Sequence, residues 1–273
     1  MEFRALGRSG LQVPVVGMGT WNTFDVRGHA SIAARRELVN TAIAAGTTLF
    51  DTSPMYGESE RVLAEALGGR REETLVADKV WTPSPAEARR QIDRALEWYG
   101  GMVDIYQVHN LVGWRDHLAM LEGLRARGAV RVVGATHYAH GAFAELTNVM
   151  RTGRVQMIQV PYNATDRVVQ EQVLALAADL GIGVLVMQPL DTGGLVRHPP
   201  PERALEPLNR FGVTTWPQAL LKWILSDRRV HCVLPATSNP AHARENAAAG
   251  DPPWLDEEAR AYVTRLASGR EAW

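Results

Sequence analysis

The chain has 273 residues, with 29 lysines and arginines against 30 aspartates and glutamates and a formal net charge of −1, which gives no electrostatic reason to expect nucleic acid or an anionic membrane as partner. A composition 46% hydrophobic and 22% charged excludes a disordered chain and predicts a sizeable core. The single cysteine, Cys232, excludes an internal disulfide and a thiolate zinc cluster, no apolar run approaches the roughly 20 residues that span a bilayer, and MEFRALGRSG has no signal-peptide core, so a cytoplasmic location is expected.

In chain order, a glycine-punctuated opening predicts a hairpin turning across Gly7 to Gly10. Beyond it, apolar runs of four to seven residues alternate with segments of helical period. The runs predict strands at 15–18, 48–51, 74–79, 104–109, 130–135, 157–161, 183–187 and 231–234. Several are nearly all apolar, as strands covered on both faces of a parallel sheet are. The segments predict helices at 35–45, 59–67, 85–99, 114–127, 141–150, 169–180, 216–226 and 240–248. In 85–99 the stripe of Ala88, Ile92, Ala95, Leu96 and Tyr99 marks the buried face, with Ser84 as cap and Pro85 in the first turn. Gly46, Gly68, Gly153 and Gly181 stand where helices stop. Eight strand–helix units of about 34 residues predict a single (β/α)8 TIM barrel, residues 1–273 as one domain, with an N-terminal hairpin and an extra C-terminal helix at 255–267. The longest irregular stretch, 191–215, follows the seventh barrel strand and is expected to be a loop over the active face.

Polar residues at the C-terminal ends of barrel strands point into that face. Asp51 ends 48–51, with Tyr56 just beyond it in DTSPMYGESE; Lys79 ends 74–79, and His109 ends IYQVH. A lysine ammonium beside a phenol favours the ionised phenol and is expected to lower Tyr56 from about 10, while Asp51 holds the lysine charged and in place. Tyr56 would then give its proton to a carbonyl oxygen becoming an alcohol, and His109 would hydrogen-bond the same oxygen. Each residue alone also fits a structural role, as a snorkelling lysine or a satisfied core histidine; four at one predicted barrel end point to chemistry. Trp21 and Trp81 are candidate walls of an apolar cleft, whereas Trp114 suits rim packing. His29, His117, His140 and His198 fit loops or helix surfaces, and the first strand carries no HxH pair, so no metal is expected. The arginine pairs at 35–36, 70–71 and 89–90 read as solvated helix faces. GMGTW lacks the GxGxxG pattern, so a Rossmann domain is not supported.

These residues make the sequence resemble the aldo-keto reductase family over essentially its whole length. The resemblance is carried by GMGTW (17–21), LFDTSPMYGESE (49–60), ADK (77–79), YQVHN (106–110), QVPYN (159–163) and PATSNPAHARENAAAG (235–250). It implies an NAD(P)H-dependent oxidoreductase that reduces aldehydes or ketones on a metal-free barrel. Asp51, Tyr56, Lys79 and His109 would form its tetrad, Tyr56 being general acid in reduction and general base in alcohol oxidation. Substrate contacts would come from Trp21, Tyr56, Trp81 and His109.

Toward the coenzyme the resemblance implies Gly19, Thr20, Trp21 and Asp51, and then departs from the family pattern in three places. Thr136 and His137 stand where members usually carry Ser-Asn for the carboxamide, with Gln159 completing that contact. Met187, followed by Gln188, Pro189 and Leu190, stands where many members stack an aromatic ring. Ala236 and His242 replace the lysine and arginine that clamp a 2′-phosphate in strongly NADP(H)-selective members. Thr237, Ser238, Asn239 and the helix start near Pro240 remain as donors, with Arg244 nearby, and Glu245 and Asn246 match residues that grip adenine. The pattern favours NADP(H) with weakened selectivity and leaves NAD(H) open. The competing class is a coenzyme-binding sensor barrel with little turnover, which an intact tetrad disfavours. The expected partner is a small carbonyl compound, not nucleic acid or membrane, and the expected state is monomer or dimer. The loops after the strands carry no readable code for the substrate.

Overall fold

The glycine-punctuated opening forms the expected hairpin, in which β1 (Phe3–Ala5) and β2 (Gln12–Pro14) pair antiparallel. The computed structural model describes residues 1–269. Eight further strands follow: β3 (Met18–Gly19), β4 (Leu49–Asp51), β5 (Leu75–Val80), β6 (Val103–His109), β7 (Val130–Thr136), β8 (Met157–Pro161), β9 (Gly183–Met187) and β10 (Cys232–Val233). Each lies parallel to the next in chain order. Parallel bridges from Val16 to Val233 and from Gly19 to Ala236 bring the first strand back to the last and close the barrel.

The helices between them are α1 (His29–Ala44), α2 (Ser59–Leu67), α3 (Pro85–Trp98), α4 (Trp114–Ala126), α5 (Phe143–Arg151), α6 (Val173–Leu180), α7 (Trp216–Leu225) and α8 (Pro240–Ala248), with α9 (Glu257–Ala267) added at the end. The expected (β/α)8 barrel with hairpin and extra helix is therefore the observed architecture.

Strand alternation divides the apolar residues between two cores. Ala77, Ile105, Val132, Met157 and Leu185 fill the inside of the barrel, while Val76, Tyr106, Val133, Ile158 and Val184 lie under the helices. Burial of both faces is why these runs read as nearly all apolar. Leu6, Leu11 and Val13 of the hairpin join the inner core and plug the end where the strands begin. There the Arg8 amide donates to the Gly181 carbonyl at 2.8 Å. Gly7 makes that approach with φ 54°, and a Cβ on it would stand 2.4 Å from the Gly181 oxygen. Helix starts follow the sequence signals closely. Ser84, Thr215, Asn239 and Asp256 accept backbone N–H groups of α3, α7, α8 and α9, the first three followed by proline in the first turn.

Several expectations need correction. The α1 helix begins at His29, six residues before the predicted start, because Gly28 offers no side-chain cap to mark it. The stretch 191–215 is not irregular. It holds 3₁₀ turns at Asp191–Val196 and Glu202–Phe211, the second burying Leu205, Leu208 and Phe211 despite Pro207. His117 is not on a helix surface: it is buried, with Nδ1 2.8 Å from the Val112 carbonyl, because Gly113 leaves room for its ring. Arg71 is no solvated face either, since its guanidinium donates to the carbonyls of Thr74 and Met102 and to the buried Asp104 carboxylate. Arg35 is half-buried and donates to the Thr23 carbonyl. Trp114 does sit at the rim, its indole N–H donating to Glu145 at 2.9 Å. Among the described residues no helix is long and apolar enough to cross a membrane.

Candidate active site

The C-terminal strand ends bring Asp51, Lys79 and His109 into one buried cluster. Asp51 is the last residue of β4, His109 the last of β6, and Lys79 sits one residue before the end of β5. Only 1% of the Lys79 side chain is exposed; its ammonium donates to Asp51 Oδ1 at 2.7 Å and to the Thr52 carbonyl at 2.6 Å. Two of its three N–H donors are thereby committed. Its Nζ lies 5.3 Å from the centre of the Tyr56 ring. Burial acts to lower the Lys79 pKa, but Asp51 and then Tyr56 carry it above its ordinary value, so the ammonium stays charged. The second Asp51 oxygen accepts the Gln159 amide at 3.4 Å.

Tyr56 is set by a 3₁₀ turn, Pro54–Tyr56, capped by Ser53, whose Oγ accepts the Met55 amide at 3.1 Å. The turn is tied on both sides. Ser59 at the start of α2 donates to the Tyr56 carbonyl at 2.7 Å, and Asp25 accepts the Glu58 amide at 3.0 Å. The expected fall in the Tyr56 pKa does not occur. Burial raises it and outweighs the charge and hydrogen bond of Lys79, so the phenol holds its proton above its ordinary value. The His109 ring meets that of Tyr56 edge to face at 5.9 Å, and its Nδ1 lies 2.8 Å from Ser53 Oγ. Burial, then the charge of Lys79, then His137 push His109 down to about 3, so the imidazole is neutral at ordinary pH.

Beside this cluster the barrel mouth presents polar atoms without partners. Thr136 ends β7 and pairs in register with both His109 and Gln159. Thr136 Oγ1 and Gln159 Oε1 are buried with no hydrogen bond. His137 follows half-buried; the Ala139 amide donates to its Nδ1 at 3.0 Å, which leaves the ring proton on Nε2. Met187 ends β9 half-buried, and Gln188, Pro189 and Leu190 continue the rim, where Asn163 donates to the Gln188 carbonyl at 3.2 Å. Gly19 ends β3, and the buried Thr20 bonds through its hydroxyl to Thr52 at 3.0 Å.

The predicted adenosine end lies farther along the rim. Asn239 accepts the Ala241 amide at 2.9 Å as the cap of α8, and its own amide donates to Thr237 Oγ1 at 3.1 Å. Ala236, Ser238 and His242 are exposed, Glu245 is half-buried and Asn246 is buried. Trp21 and Trp81 project as exposed aromatics, 45% and 39% accessible, and the Trp81 backbone is held by Gln91 of α3.

Sequence reasoning missed three features. Ser53 orients His109, and the specific block around it was the available signal. Gln107, two residues before His109 on the same strand, is buried beside the cluster; the strand period alone could have flagged it. Glu60 and Asp78 are both buried acids.

Comparison with known proteins gives a consistent picture. The model of the Aldo/keto reductase family matches residues 15–267. Methylglyoxal reductase YeaE of Escherichia coli (strain K12) is 27% identical over 249 residues, 87% of this chain and 86% of its own. The NADH-specific methylglyoxal reductase of the same organism is 26% identical over 306 residues, 89% of this chain and 92% of its own. Among solved structures, an aldo/keto reductase from Klebsiella pneumoniae in complex with NADP and acetate superposes with a TM-score of 0.81 at 23% identity, covering 97% of this chain and 95% of that one.

Proposed function

The chain belongs to the aldo/keto reductase family, and from that premise we propose that it is an NADP(H)-preferring reductase of small aldehydes or ketones. The observation that carries this reading is the buried Asp51–Lys79 pair set against the Tyr56 phenol, with neutral His109 at its edge. The barrel mouth fits a nicotinamide dinucleotide. The unpartnered Thr136 Oγ1 and Gln159 Oε1 and the His137 Nε2 proton suit a carboxamide. Met187 offers a thioether to a heteroaromatic ring, with Gly19, Thr20, Trp21, Gln188, Pro189 and Leu190 around it. Thr237, Ser238, Asn239 and His242 would hold a phosphate, and Glu245 and Asn246 the adenine. When bound, the coenzyme supplies a hydride to the carbonyl carbon.

The chain's own residues then handle the proton. Tyr56 donates its phenolic proton to the developing alkoxide, and Lys79 stabilises the phenolate left behind. Asp51 and the Thr52 carbonyl keep the ammonium on that spot. If the Ser53 hydroxyl donates to Nδ1 of His109, the His109 proton sits on Nε2, where it can hydrogen-bond the same substrate oxygen. A phenol pushed above its ordinary pKa suits this direction, because it enters each cycle protonated. Trp21 and Trp81, exposed aromatics, would wall the substrate.

The test is titration of the protein with NADPH and NADH by quenching of tryptophan fluorescence, followed by coenzyme consumption with an aldehyde panel. Methylglyoxal comes first, since two relatives are named for its reduction. Tight NADPH binding with turnover is expected. Binding without turnover would move the chain to the sensor class, and failure to bind either coenzyme would remove both readings.

A further inference from the structure

Two residues past the end of β8 stands Asn163, a side chain that the proposed chemistry does not use and that is only 2% exposed. Its Oδ1 accepts the Thr165 amide at 3.0 Å, the Thr165 hydroxyl at 2.9 Å and the Asp166 amide at 2.8 Å, and its own backbone N–H donates to the Asp166 carbonyl at 3.0 Å. Residues 163–166 are thus a closed turn built on one side chain. Asp166 Oδ2 lies 2.9 Å from His140 Nε2, in the segment that follows β7 and His137, so the turn also has a hold on the neighbouring loop.

The Asn163 amide nitrogen reaches the other way. Nδ2 donates to the Gln188 carbonyl at 3.2 Å, one residue past the end of β9. The Asp191 amide donates to the same oxygen at 3.1 Å from within the turn, so both lone pairs of that carbonyl are used and one of the two donors comes from another strand end. The backbone held in this way is unusual. Gln188, Asp191 and Thr192 have φ of 52°, 50° and 49°, left-handed values that residues with a Cβ rarely adopt. Such a turn persists where the surrounding contacts over-determine it. We propose that Asn163 is a positioning residue for coenzyme binding: its amide holds the Gln188 carbonyl, and with it the left-handed turn after β9, in the shape that presents residues 187–190 to the nicotinamide. The inference rests on the reductase reading.

A strut is needed here because this part of the coenzyme contact would be made by a turn and not by a strand. Met187, the last residue of β9, still pairs in register with Pro161, but Gln188, Pro189 and Leu190 lie beyond the ladder. Pro189 has no N–H to give. The Leu190 carbonyl accepts the Gly193 and Leu195 amides at 3.0 and 3.3 Å, which folds the segment on itself without tying it to the barrel. Trp216 holds the far end, donating from Nε1 to the Leu195 carbonyl at 2.7 Å. The near end, which would meet the coenzyme, is held by Asn163.

A double-mutant cycle reads the link directly. Asn163→Ser keeps a hydroxyl acceptor for the 163–166 turn and is too short to reach Gln188. The dissociation constant for NADPH, from quenching of tryptophan fluorescence, should rise about five- to tenfold. In a Gln188→Gly background, where glycine takes the left-handed φ unaided, the same substitution should cost about twofold or less. Thr165→Ala removes one donor from Oδ1 and leaves the amide in place, so affinity should stay within about twofold of wild type. Amide exchange at Asp191, measured without coenzyme, should speed up about tenfold in Asn163→Ser, and the double variant should exchange no faster than Gln188→Gly alone. Equal losses of affinity in both backgrounds, an unmoved dissociation constant or unmoved Asp191 exchange in Asn163→Ser, or an equal loss in Thr165→Ala overturns the proposal. Should Asn163→Ser fail to fold, Asn163→Asp, which keeps a full-length acceptor and, ionised, offers no donor, goes through the same cycle. Failure of the wild type to bind NADPH would instead count against the reductase reading, and Asp191 exchange would still decide whether Asn163 holds the turn.

Discussion

The inner and outer parts of the barrel mouth are built on opposite plans. At the inner part, Asp51, Lys79 and His109 are almost fully buried and locked by contacts of 2.6 to 2.8 Å to one another or to Ser53 and Thr52. At the outer part, Ser238, His242 and Arg244 stand exposed on a turn and a helix start, where the side-chain bonds are those of Thr237 and Asn239 to nearby amides. Where a proton must be handled, groups are desolvated and fixed before any ligand arrives. Under the proposed function, the outer part would hold a phosphate with a few exposed donors.

The contrast breaks most visibly at Tyr56. Tyr56→Phe should lower turnover by about 10²- to 10⁴-fold while coenzyme affinity, read by fluorescence quenching, stays within about twofold. A small loss of turnover would remove Tyr56 as the acid.

Acid should destabilise the fold through His231 and His109. His231 is held down to about 4 by burial and then by Arg4, and its Nδ1 accepts the Val184 amide at 3.0 Å. The unfolded chain binds that proton near pH 6.5 and the native chain only near 4, so stability is complete above about 6.5 and falls as pH drops through the window. Urea unfolding at pH 7 and pH 5 should show a drop larger by about 2 kcal/mol in wild type than in His231→Asn. An equal drop in both would assign the acid sensitivity elsewhere. His109, held at about 3, adds a loss of the same sign.

Ser53→Ala sharpens the comparison within the inner part. Removing the partner of His109 Nδ1 should cost about three- to tenfold in kcat/KM and leave coenzyme binding alone; loss of binding instead would make Ser53 part of the coenzyme site. At the outer part, Ala236→Lys should tighten NADPH by about two- to fivefold, leave NADH unchanged and lose its effect in high salt. Equal tightening of both coenzymes would displace the 2′-phosphate from that position.

The legibility of the chain follows the same division. Asp51, Tyr56, Lys79 and His109 could be read because the chemistry demands particular residue types at strand ends, and the strands were marked by apolar runs. Helix starts at Ser84, Asn239 and Thr215 were legible through cap and proline; the one at His29 was not, because a glycine and an alanine-rich segment leave no mark. The direction of the Tyr56 pKa was missed because desolvation depends on what covers the ring, which only the folded chain supplies. Met187 and His137 were read as departures, and the structure gives the second a tautomer that no sequence encodes.

The barrel seam carries a mechanical consequence. Here β3 and β10, strands of two residues each, are joined by isolated bridges and by the bonds of Gly17 and Val15 with Val233 and of Gly19 with the Pro235 carbonyl. The loops leaving these two strands begin at Thr20 and Ala236, on opposite banks of this join. A ligand gripping both would act as a clasp, suppressing local opening that breaks few backbone bonds. Amide exchange at residues 15–19 and 232–236 should therefore slow on adding NADPH more than at the β5–β6 contact, whose long ladder needs no clasp.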